Sequence, residues 1–259
     1  MIVQIYEIQT PEEAGRCIEL GVDHIGSVLL SEAEWRQPHI REVMTISEGS
    51  GVKNTLIPLF QTPETIHRAL DYYRPHFIHF CETLTDEQGH SIDLEPVFEA
   101  QRRLKVSFPG VGIIRSIPVP LEGYGAGFPT LEIALSLEPV SDLFLTDTWL
   151  GQEPVKGYIG ITGRTGDPGI ARQLTDRSRI PVILAGGLAP DNVYDLLLTT
   201  RPAGADSCTQ TNRVDGEGRP VRFQKDFARV RRFVQEVRRA ERVLRGRFAQ
   251  GRRHENLLV

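Results

Sequence analysis

Asp142-Leu-Phe-Leu-Thr-Asp-Thr148 and Pro181-Val-Ile-Leu-Ala-Gly-Gly-Leu188 are the two stretches that decide the fold. Each is a short apolar strand that ends in a polar residue or in glycines, which core packing does not explain. The first ends near Asp147, and a carboxylate is rarely placed at the mouth of an apolar strand for packing reasons. The second ends at Gly186 and Gly187, which let backbone N–H groups approach a ligand, commonly a phosphate. Together they predict a barrel enzyme that acts on a phosphorylated small molecule.

Apolar strands alternate with helix-compatible segments along the whole chain. Thr10-Pro-Glu-Glu13 and Thr62-Pro-Glu64 each place a cap residue, a proline and acids in the order typical of a helix start. Short, nearly continuous apolar strands separated by helices indicate a parallel sheet covered on both faces. Eight such units within 259 residues favour a single (β/α)8 TIM barrel over residues 1–259; an open doubly wound sheet is the rival. The predicted strands are Ile2–Ile8, Asp23–Leu30, Val52–Phe60, Phe77–Glu82, Val111–Ile117, Asp142–Asp147, Pro181–Leu188 and Ala205–Thr209.

The bulk composition excludes several classes of protein. A formal net charge of −4 and a pI near 6.0 argue against a general nucleic-acid binder. Cys17, Cys81 and Cys208 have no paired spacing, so neither a disulfide scaffold nor a zinc site is indicated. The N-terminus does not resemble a secretory leader, and no run of about 18 apolar residues appears. We therefore expect a cytoplasmic protein with reduced thiols and without nucleic-acid or membrane partners.

The last segment, residues 226–253, carries ten arginines. Apolar residues recur among them at helical spacing, namely Phe227, Val230, Phe233, Val234 and Val237. This pattern is typical of an amphipathic helix with one packed face and one solvated face. It predicts a basic C-terminal barrel helix, and a nucleic-acid-binding element is the less favoured interpretation.

In a barrel of this kind, catalytic residues lie at the C-terminal ends of the strands, and the loops after strands seven and eight hold phosphate. Seven predicted strand ends carry polar or glycine residues, which is more than packing needs. The spacing of Glu7, His79, Glu82 and Asp147 matches no compact ligand motif, so we expect no metal, and no cofactor is indicated. The residues at the strand ends are Tyr6, Glu7, Arg36, His79, Cys81, Glu82, Arg115, Asp147, Gly186, Gly187 and Ser207 to Thr209.

Several motifs follow one another in order along nearly the whole chain. They are Gln9-Thr-Pro-Glu-Glu-Ala14, Gly21-Val-Asp-His-Ile-Gly26, Val52-Lys53, Asp142–Thr148, Gly160-Ile-Thr-Gly-Arg-Thr165, Pro181–Val193 and Lys225-Asp226 at the start of the last helix. The Ala-Gly-Gly-Leu segment alone is shared by several phosphate-binding barrels, but the combination is more specific. It resembles the phosphoribosylanthranilate isomerase family of tryptophan synthesis. The resemblance implies a (β/α)8 barrel and an Amadori rearrangement of an N-linked aminoaldose phosphate to an aminoketose.

The resemblance also implies two proton-transfer positions. In the family, an aspartate at the end of strand six protonates the ring oxygen, and Asp147 matches it. A cysteine at the end of strand one removes the C2 proton, but the family's Lys-x-Cys-Gly reads Gln4-Ile-Tyr-Glu7 here. Tyr6 therefore replaces the base, and a phenol with a pKa near 10 is a poor base at neutral pH. Two further segments depart from the family pattern: His79-Phe-Cys-Glu82 replaces Gln-Leu-His-Gly, and Asp206-Ser-Cys-Thr-Gln-Thr-Asn212 replaces Asp-Val-Ser-Ser-Gly-Val-Glu.

These considerations assign candidate roles, each beside a simpler structural explanation. Asp147 is the predicted acid, and a site role is favoured over a salt-bridged barrel position. The candidate replacements for the base are Tyr6, Glu7 and Cys81; for Tyr6, pocket filling is an equal alternative, and for the other two the structural explanation is favoured. Forked hydrogen bonds suit arginine for an anionic substrate. The substrate-binding candidates are Arg36, His79 and Arg115, and the phosphate-binding candidates are Gly186, Gly187, Ser207 and Thr209.

Three functional hypotheses follow. The main one is an isomerase-like enzyme acting on a phosphorylated sugar or related molecule, with Asp147 as general acid and an altered base. The second is authentic phosphoribosylanthranilate isomerase activity. The third is a non-catalytic ligand-binding descendant. A homodimer is left open, as is the role of the glycine- and proline-rich segment Pro118–Gly127 as a lid or a partner contact.

Overall fold

The structure is a computed structural model that describes residues 1–124 and 127–255, with side chains described up to residue 246. Eight parallel strands form a closed barrel: β1 Ile2–Tyr6, β2 His24–Leu29, β3 Lys53–Pro58, β4 Phe77–Phe80, β5 Gly112–Pro120, β6 Leu143–Trp149, β7 Val182–Leu184 and β8 Gly204–Ser207. The strands pair in chain order, and β1 also pairs with β8, with Ile2 opposite Gly204. The predicted (β/α)8 TIM barrel is confirmed. The open doubly wound sheet is wrong because the pairing of β1 with β8 closes the sheet.

Eight α-helices of the described chain cover the outside of the barrel. They are α1 Pro11–Glu19, α2 Pro38–Ser47, α3 Pro63–Tyr73, α4 Glu95–Ser107, α5 Thr130–Leu137, α6 Pro168–Arg177, α7 Val193–Thr200 and α8 Phe227–Glu255. Short 3-10 helices span Glu138–Val140 and Thr209–Thr211. The start signal of α1 works as predicted, since the Thr10 side chain accepts a hydrogen bond from Glu13 N. By contrast Gln37, which precedes α2, makes no capping bond with its side chain, so this helix has a weaker start signal.

Side chains on each strand alternate between the barrel interior and the helix layer, and this alternation decides which residues reach the site. Ala205 of β8 packs outward in the same apolar cluster as Ile5 of β1. Its neighbour Asp206 lies opposite Gln4 of β1 and bonds to it inside the barrel. Two residues beyond Gln4, Tyr6 belongs to the interior cluster.

A hairpin follows the last barrel strand and joins it to the final helix. Its strands are β9 Asn212–Val214 and β10 Pro220–Lys225, which pair antiparallel. The prediction that Lys225 opens the last helix is wrong, because Lys225 ends β10 and the Asp226 carboxylate caps the helix by accepting from Ala228 N. The buried Lys225 ammonium donates to Cys208 O at 2.8 Å and to Asn212 Oδ1 at 2.6 Å. These bonds tie the hairpin to the loop after β8.

The basic helix α8 packs its apolar side on the barrel, where Val230, Phe233 and Val237 are buried. Among the residues that the structure describes, no helix is both long and apolar enough to cross a membrane. Of the segment Pro118–Gly127, the first three residues end β5, and residues 125–126 lie outside the described part.

Candidate active site

A pocket opens at the C-terminal ends of the strands, where a barrel of this type carries its chemistry. Its walls are largely apolar, with Val28, Ile57 and Leu145 among the lining residues. Such cavities, with a few placed polar groups, are usual for small-molecule sites. The polar and titratable lining side chains are Tyr6, Glu7, His79, Cys81, Asp147, Tyr158, Thr162, Asp206, Cys208, Thr209, Gln210 and Arg222.

Asp147 is at the end of β6 and lines this pocket. Its Oδ1 accepts a hydrogen bond from Thr148 N at 3.2 Å. Gly160 passes close to it: a Cβ there would lie 2.6 Å from Asp147 Oδ2. Burial raises the pKa of the Asp147 carboxyl to about 7, against the opposing bond from Thr148 N, and the nearby Glu153 carboxylate adds to the rise. The group is therefore suited to give up a proton near neutral pH.

Asp206 of β8 is a second buried carboxyl in the same pocket, and the sequence analysis did not assign it a role. Gln4 Nε2 donates to its Oδ1 at 3.2 Å. Burial raises the pKa of Asp206 to about 8, the Gln4 bond opposes this, and the Asp147 charge raises it further. The two-residue strand period could have found it, because Asp206 and Cys208 share the inward-facing parity.

Tyr6 occupies the strand-one position at which the family resemblance placed a cysteine. Its ring lies against the backbone of Gly26 so closely that a Cβ there would clash with it. The ring centroid is 5.3 Å from that of His79. The buried Tyr6 hydroxyl has no hydrogen-bond partner among the described residues. Burial raises the pKa of Tyr6 well above 10, and the Asp206 carboxylate adds to the rise, so the phenol is further from a useful base than its type alone suggests.

Glu7 leaves β1 with a φ of 61°, a backbone conformation that usually needs glycine. Its carboxylate is buried and paired: Arg222 Nε of β10 donates to Oε1 at 2.7 Å, Arg222 Nη2 lies 2.6 Å from the same oxygen as an ion pair, and Asn212 Nδ2 donates to Oε2 at 3.2 Å. Burial alone would raise the pKa of Glu7, but the charges of Arg222 and Lys225 and these hydrogen bonds lower it. The structure therefore shows a fixed anion paired with Arg222.

His79 and Cys81 line the pocket from β4 and the residue after it. His79 Nε2 lies 2.8 Å from Ser116 Oγ, and burial lowers the pKa of His79 to about 3, so the ring is neutral. Burial raises the pKa of the Cys81 thiol far above its usual value. A thiol that stays protonated is a poor base.

The glycine pair after β7 also lines the pocket. Gly186 and Gly187 have φ values of 92° and 59°, and a Cβ at position 187 would lie 2.6 Å from the backbone carbon of Arg164. The N–H groups of Gly186, Gly187, Leu188 and Thr209 donate no hydrogen bond to any described residue. These four N–H groups, here called the amide cradle, are suited to an anion.

Not every predicted site residue reaches the pocket. Ser207 is absent from its lining, and its hydroxyl donates to Leu188 O at 2.8 Å. Arg36 is exposed and stacks over the Tyr72 ring, with its guanidinium carbon 4.8 Å from the ring centroid. Arg115 is fully buried and donates to the side chain and the carbonyl of Glu82. Neither arginine lines the pocket, whereas Arg222, which the sequence analysis did not single out, does.

Two further observations concern metal ligands and the loop beside the pocket. In the described ranges, no cluster of three or more His, Cys, Asp or Glu residues could hold a metal ion. The Thr148 hydroxyl donates to Arg164 O at 2.6 Å, which fixes the loop between β6 and α6 over the pocket.

Comparison with known proteins decides the family. The N-(5'-phosphoribosyl)anthranilate isomerase of Methanocella arvoryzae is 31% identical over 239 residues, covering 91% of this chain and 97% of the relative. The chain belongs to the phosphoribosylanthranilate isomerase family. The isomerase of Acaryochloris marina is 26% identical and covers 92% of this chain and 98% of its own. No family model matches the chain.

Solved structures of phosphoribosylanthranilate isomerases have the same fold. The enzyme from Thermotoga maritima superimposes with a TM-score of 0.68 at 22% identity, covering 92% of this chain and 99% of that one. A phosphoribosylanthranilate isomerase in complex with reduced 1-(o-carboxyphenylamino)-1-deoxyribulose 5-phosphate gives a TM-score of 0.66 at 20% identity and covers the same shares. At this identity the likeness shows the fold alone, and thiamine phosphate pyrophosphorylase from Pyrococcus furiosus also shares it, with a TM-score of 0.59.

Family membership changes the order of the three hypotheses. The chain is a phosphoribosylanthranilate isomerase-like barrel, as expected. The relatives favour the second hypothesis, authentic isomerase activity, over the main one, an enzyme of other sugar phosphates with an altered base. The residue roles remain predictions.

Proposed function

We propose that this chain isomerises N-(5'-phosphoribosyl)anthranilate, the activity that the names of its relatives describe. One observation carries the proposal. Asp147, at the position of the family's acid, lines a pocket that also contains the amide cradle. A proton donor and an anion site in one cavity are what a phosphorylated sugar needs in order to be held and opened.

Two groups in the pocket can bind the negative charges of the substrate: the amide cradle and the side chain of Arg222. The amide cradle receives the phosphate, because its N–H groups belong to residues that line the pocket and donate to no described residue. Arg222 is the one Lys or Arg side chain among the described lining residues, and it keeps donors beyond those given to Glu7. It is therefore suited to attract the carboxylate of the anthranilate ring.

The first chemical step is assigned to Asp147. Its proton passes to the ring oxygen of the sugar, the bond from C1 to that oxygen breaks, and the nitrogen lone pair forms a C1=N iminium ion. A pKa raised to about 7 by burial leaves a large fraction of Asp147 protonated at neutral pH, which general acid catalysis requires.

Growth rescue tests the proposal in a cell. We expect the gene to restore growth without tryptophan to a bacterial strain that lacks the isomerase, while the Asp147→Asn gene and the empty vector fail. Equal protein levels, measured by immunoblot, are required of both genes. Failure of the unmodified gene at normal protein level would contradict the proposal.

A second candidate is the main hypothesis from the sequence, a related reaction on another sugar phosphate. It is favoured by Tyr6, because a phenol at the position of the family's base changes the proton-transfer chemistry that the pocket offers. Turnover of a different N-linked aminoaldose phosphate, but not of the anthranilate compound, would support it. A homodimer is kept as a proposal, since a structural relative from Thermotoga maritima is described as dimeric, and a place in the cytoplasm stays a prediction.

A further inference from the structure

The isomerisation needs a base at C2 of the sugar, and the residue at the family's position cannot supply it. The Tyr6 hydroxyl is buried, with its pKa well above 10. The Cys81 thiol is buried and stays protonated. The Glu7 carboxylate is held by Arg222 and Asn212, so its lone pairs are largely used. The three predicted replacements for the base are thus poorly placed for proton removal.

We propose that Asp206 is the catalytic base of this chain. The inference rests on the proposed function and adds a residue to it. Asp206 lines the same pocket as Asp147. It belongs to β8, which pairs with β1, the strand that carries the family's base position at Tyr6. Its Oδ1 accepts one hydrogen bond, from Gln4 Nε2, which leaves Oδ2 without a donor among the described residues. A carboxylate that faces a cavity with a free oxygen is available to accept a proton.

Gln4 has the contacts of a positioning residue for Asp206. It is fully buried in β1, directly opposite Asp206 in the β1–β8 register. Its Nε2 holds one carboxylate oxygen, while its Oε1 has no partner among the described residues. A single neutral donor fixes the rotamer of the carboxylate without the strong charge pairing that would suppress its basicity.

The charges around Asp206 come from several elements. The Asp147 carboxyl on β6 and the Glu7 carboxylate after β1 disfavour its ionisation, whereas the Lys225 ammonium on β10 favours it. The neutral titratable groups lining the same pocket are Tyr6, His79, Cys81, Tyr158 and Cys208. Because Asp147 and Asp206 influence each other, they lose their protons as a coupled pair. With one proton in the pair, the reactive form carries it on Asp147 and leaves Asp206 ionised; because the pKa of Asp206 is the higher of the two, this form is the smaller share of the singly protonated pair.

The proton transfers balance over the whole reaction. After Asp147 has opened the ring, Asp206 takes the proton from C2: the C2–H bond breaks, its electron pair forms C1=C2, and the iminium pair returns to nitrogen. The enol then becomes a ketone as Asp206 gives its proton to C1 and the C2 hydroxyl returns a proton to Asp147. Both carboxyls end as they began, and no oxidant or further reactant is needed.

The test compares Asp206→Asn with the unmodified chain on N-(5'-phosphoribosyl)anthranilate. Loss of a general base is expected to lower kcat by roughly 10²–10⁴-fold while KM changes by less than about threefold. With substrate deuterated at C2, the isotope effect on kcat should increase in the variant, since C2–H cleavage becomes slower relative to the other steps. Asp176→Asn, the same exchange at an exposed carboxylate of α6, serves as control and should keep its activity. Circular dichroism checks folding, and Asp206→Ser is judged by the same criteria if the asparagine variant does not fold.

The failures are distinguishable. Turnover by the unmodified chain that survives Asp206→Asn within about threefold would overturn the inference and leave the proposed function intact. No turnover by the unmodified chain, although the reduced product analogue binds, would overturn the proposed function and the inference with it. A kcat loss without any change in the C2 isotope effect would assign Asp206 another role and also overturn the inference.

Discussion

Arg222 holds the carboxylate of Glu7 through a hydrogen bond from Nε to Oε1 at 2.7 Å and an ion-pair contact of Nη2 with the same oxygen at 2.6 Å, although Glu7 itself has the left-handed backbone that glycine usually adopts. The hairpin β9–β10 is thereby fixed to the end of β1 at the rim of the pocket. A residue keeps a strained backbone conformation only where its contacts hold it in place. Here the ion pair with Arg222 and the hydrogen bond from Asn212 Nδ2 hold Glu7.

Arg222→Gln should lower the free energy of unfolding by about 1–3 kcal/mol at neutral pH, because the buried Glu7 carboxylate loses its charge partner. The partial exposure of Arg222 keeps the expected loss below that of a fully buried pair. The folded state lowers the pKa of Glu7, so the pair's stabilisation is complete above the unfolded pKa of about 4.3 and is lost as the pH falls through the lower folded value. Urea unfolding at pH 7 and pH 3 measures this; an equal loss at both pH values would contradict the ion-pair explanation.

Tyr6→Phe should leave kcat within about twofold of the unmodified value, since a phenol with so high a pKa takes no part in proton transfer. Removing a buried hydroxyl that has no partner among the described residues should also leave thermal stability equal or slightly higher. Steady-state kinetics and a thermal melt test both points. A loss of about 10²-fold or more in kcat would show that the hydroxyl takes part in the chemistry.

The amide cradle depends on glycine at position 187. Gly187→Ala should weaken binding of ribose 5-phosphate by at least about tenfold, because the added Cβ meets the backbone of Gly163 and Arg164 and the φ of 59° is strained for alanine. Gly216→Ala is the matched control, since a Cβ there meets open space. Titration calorimetry measures the affinity of both variants for ribose 5-phosphate. Equal affinity of the Gly187→Ala variant and the control would place the phosphate elsewhere.

Activity should have a bell-shaped dependence on pH with a maximum between about 7 and 8. Burial raises the pKa of Asp147 to about 7 and that of Asp206 to about 8, the latter also through the Asp147 charge. Below this range the pair holds two protons and lacks a base; above it the pair holds none and lacks an acid. A profile of kcat/KM from pH 5 to pH 10 tests this, and a rising limb near pH 10, as for a tyrosine base, would contradict it.

The sequence predicted what local patterns determine. Most of the barrel strands are largely apolar segments, and Asp147 and the Gly186–Gly187 pair stand at or just beyond the ends of two of them, so their place at the barrel mouth follows from the fold class. Strand parity explains one difference. The sequence analysis gave phosphate contacts to Ser207, but Asp206 faces the interior, and Ser207 bonds to Leu188 O instead.

The remaining differences arise from contacts between distant parts of the chain. Arg222 reaches the pocket because β10 folds back on the end of β1, and 215 positions separate it from its partner Glu7. Arg115 stands in a predicted barrel strand, yet its side chain lies outside the pocket lining and donates hydrogen bonds to the carboxylate and the carbonyl of Glu82. No local pattern records which charged residue finds a partner, so the sequence could not separate Arg36 and Arg115 from Arg222.

The most direct test of the central claim is turnover of N-(5'-phosphoribosyl)anthranilate by the purified chain and by its Asp147→Asn variant, with affinity for the reduced product analogue measured in parallel. The account predicts turnover by the unmodified chain, a loss in kcat of roughly 10²–10⁴-fold in the variant, and similar affinity of both for the analogue. Full activity of a folded Asp147→Asn variant, or no turnover by an unmodified chain that binds the analogue, would contradict it.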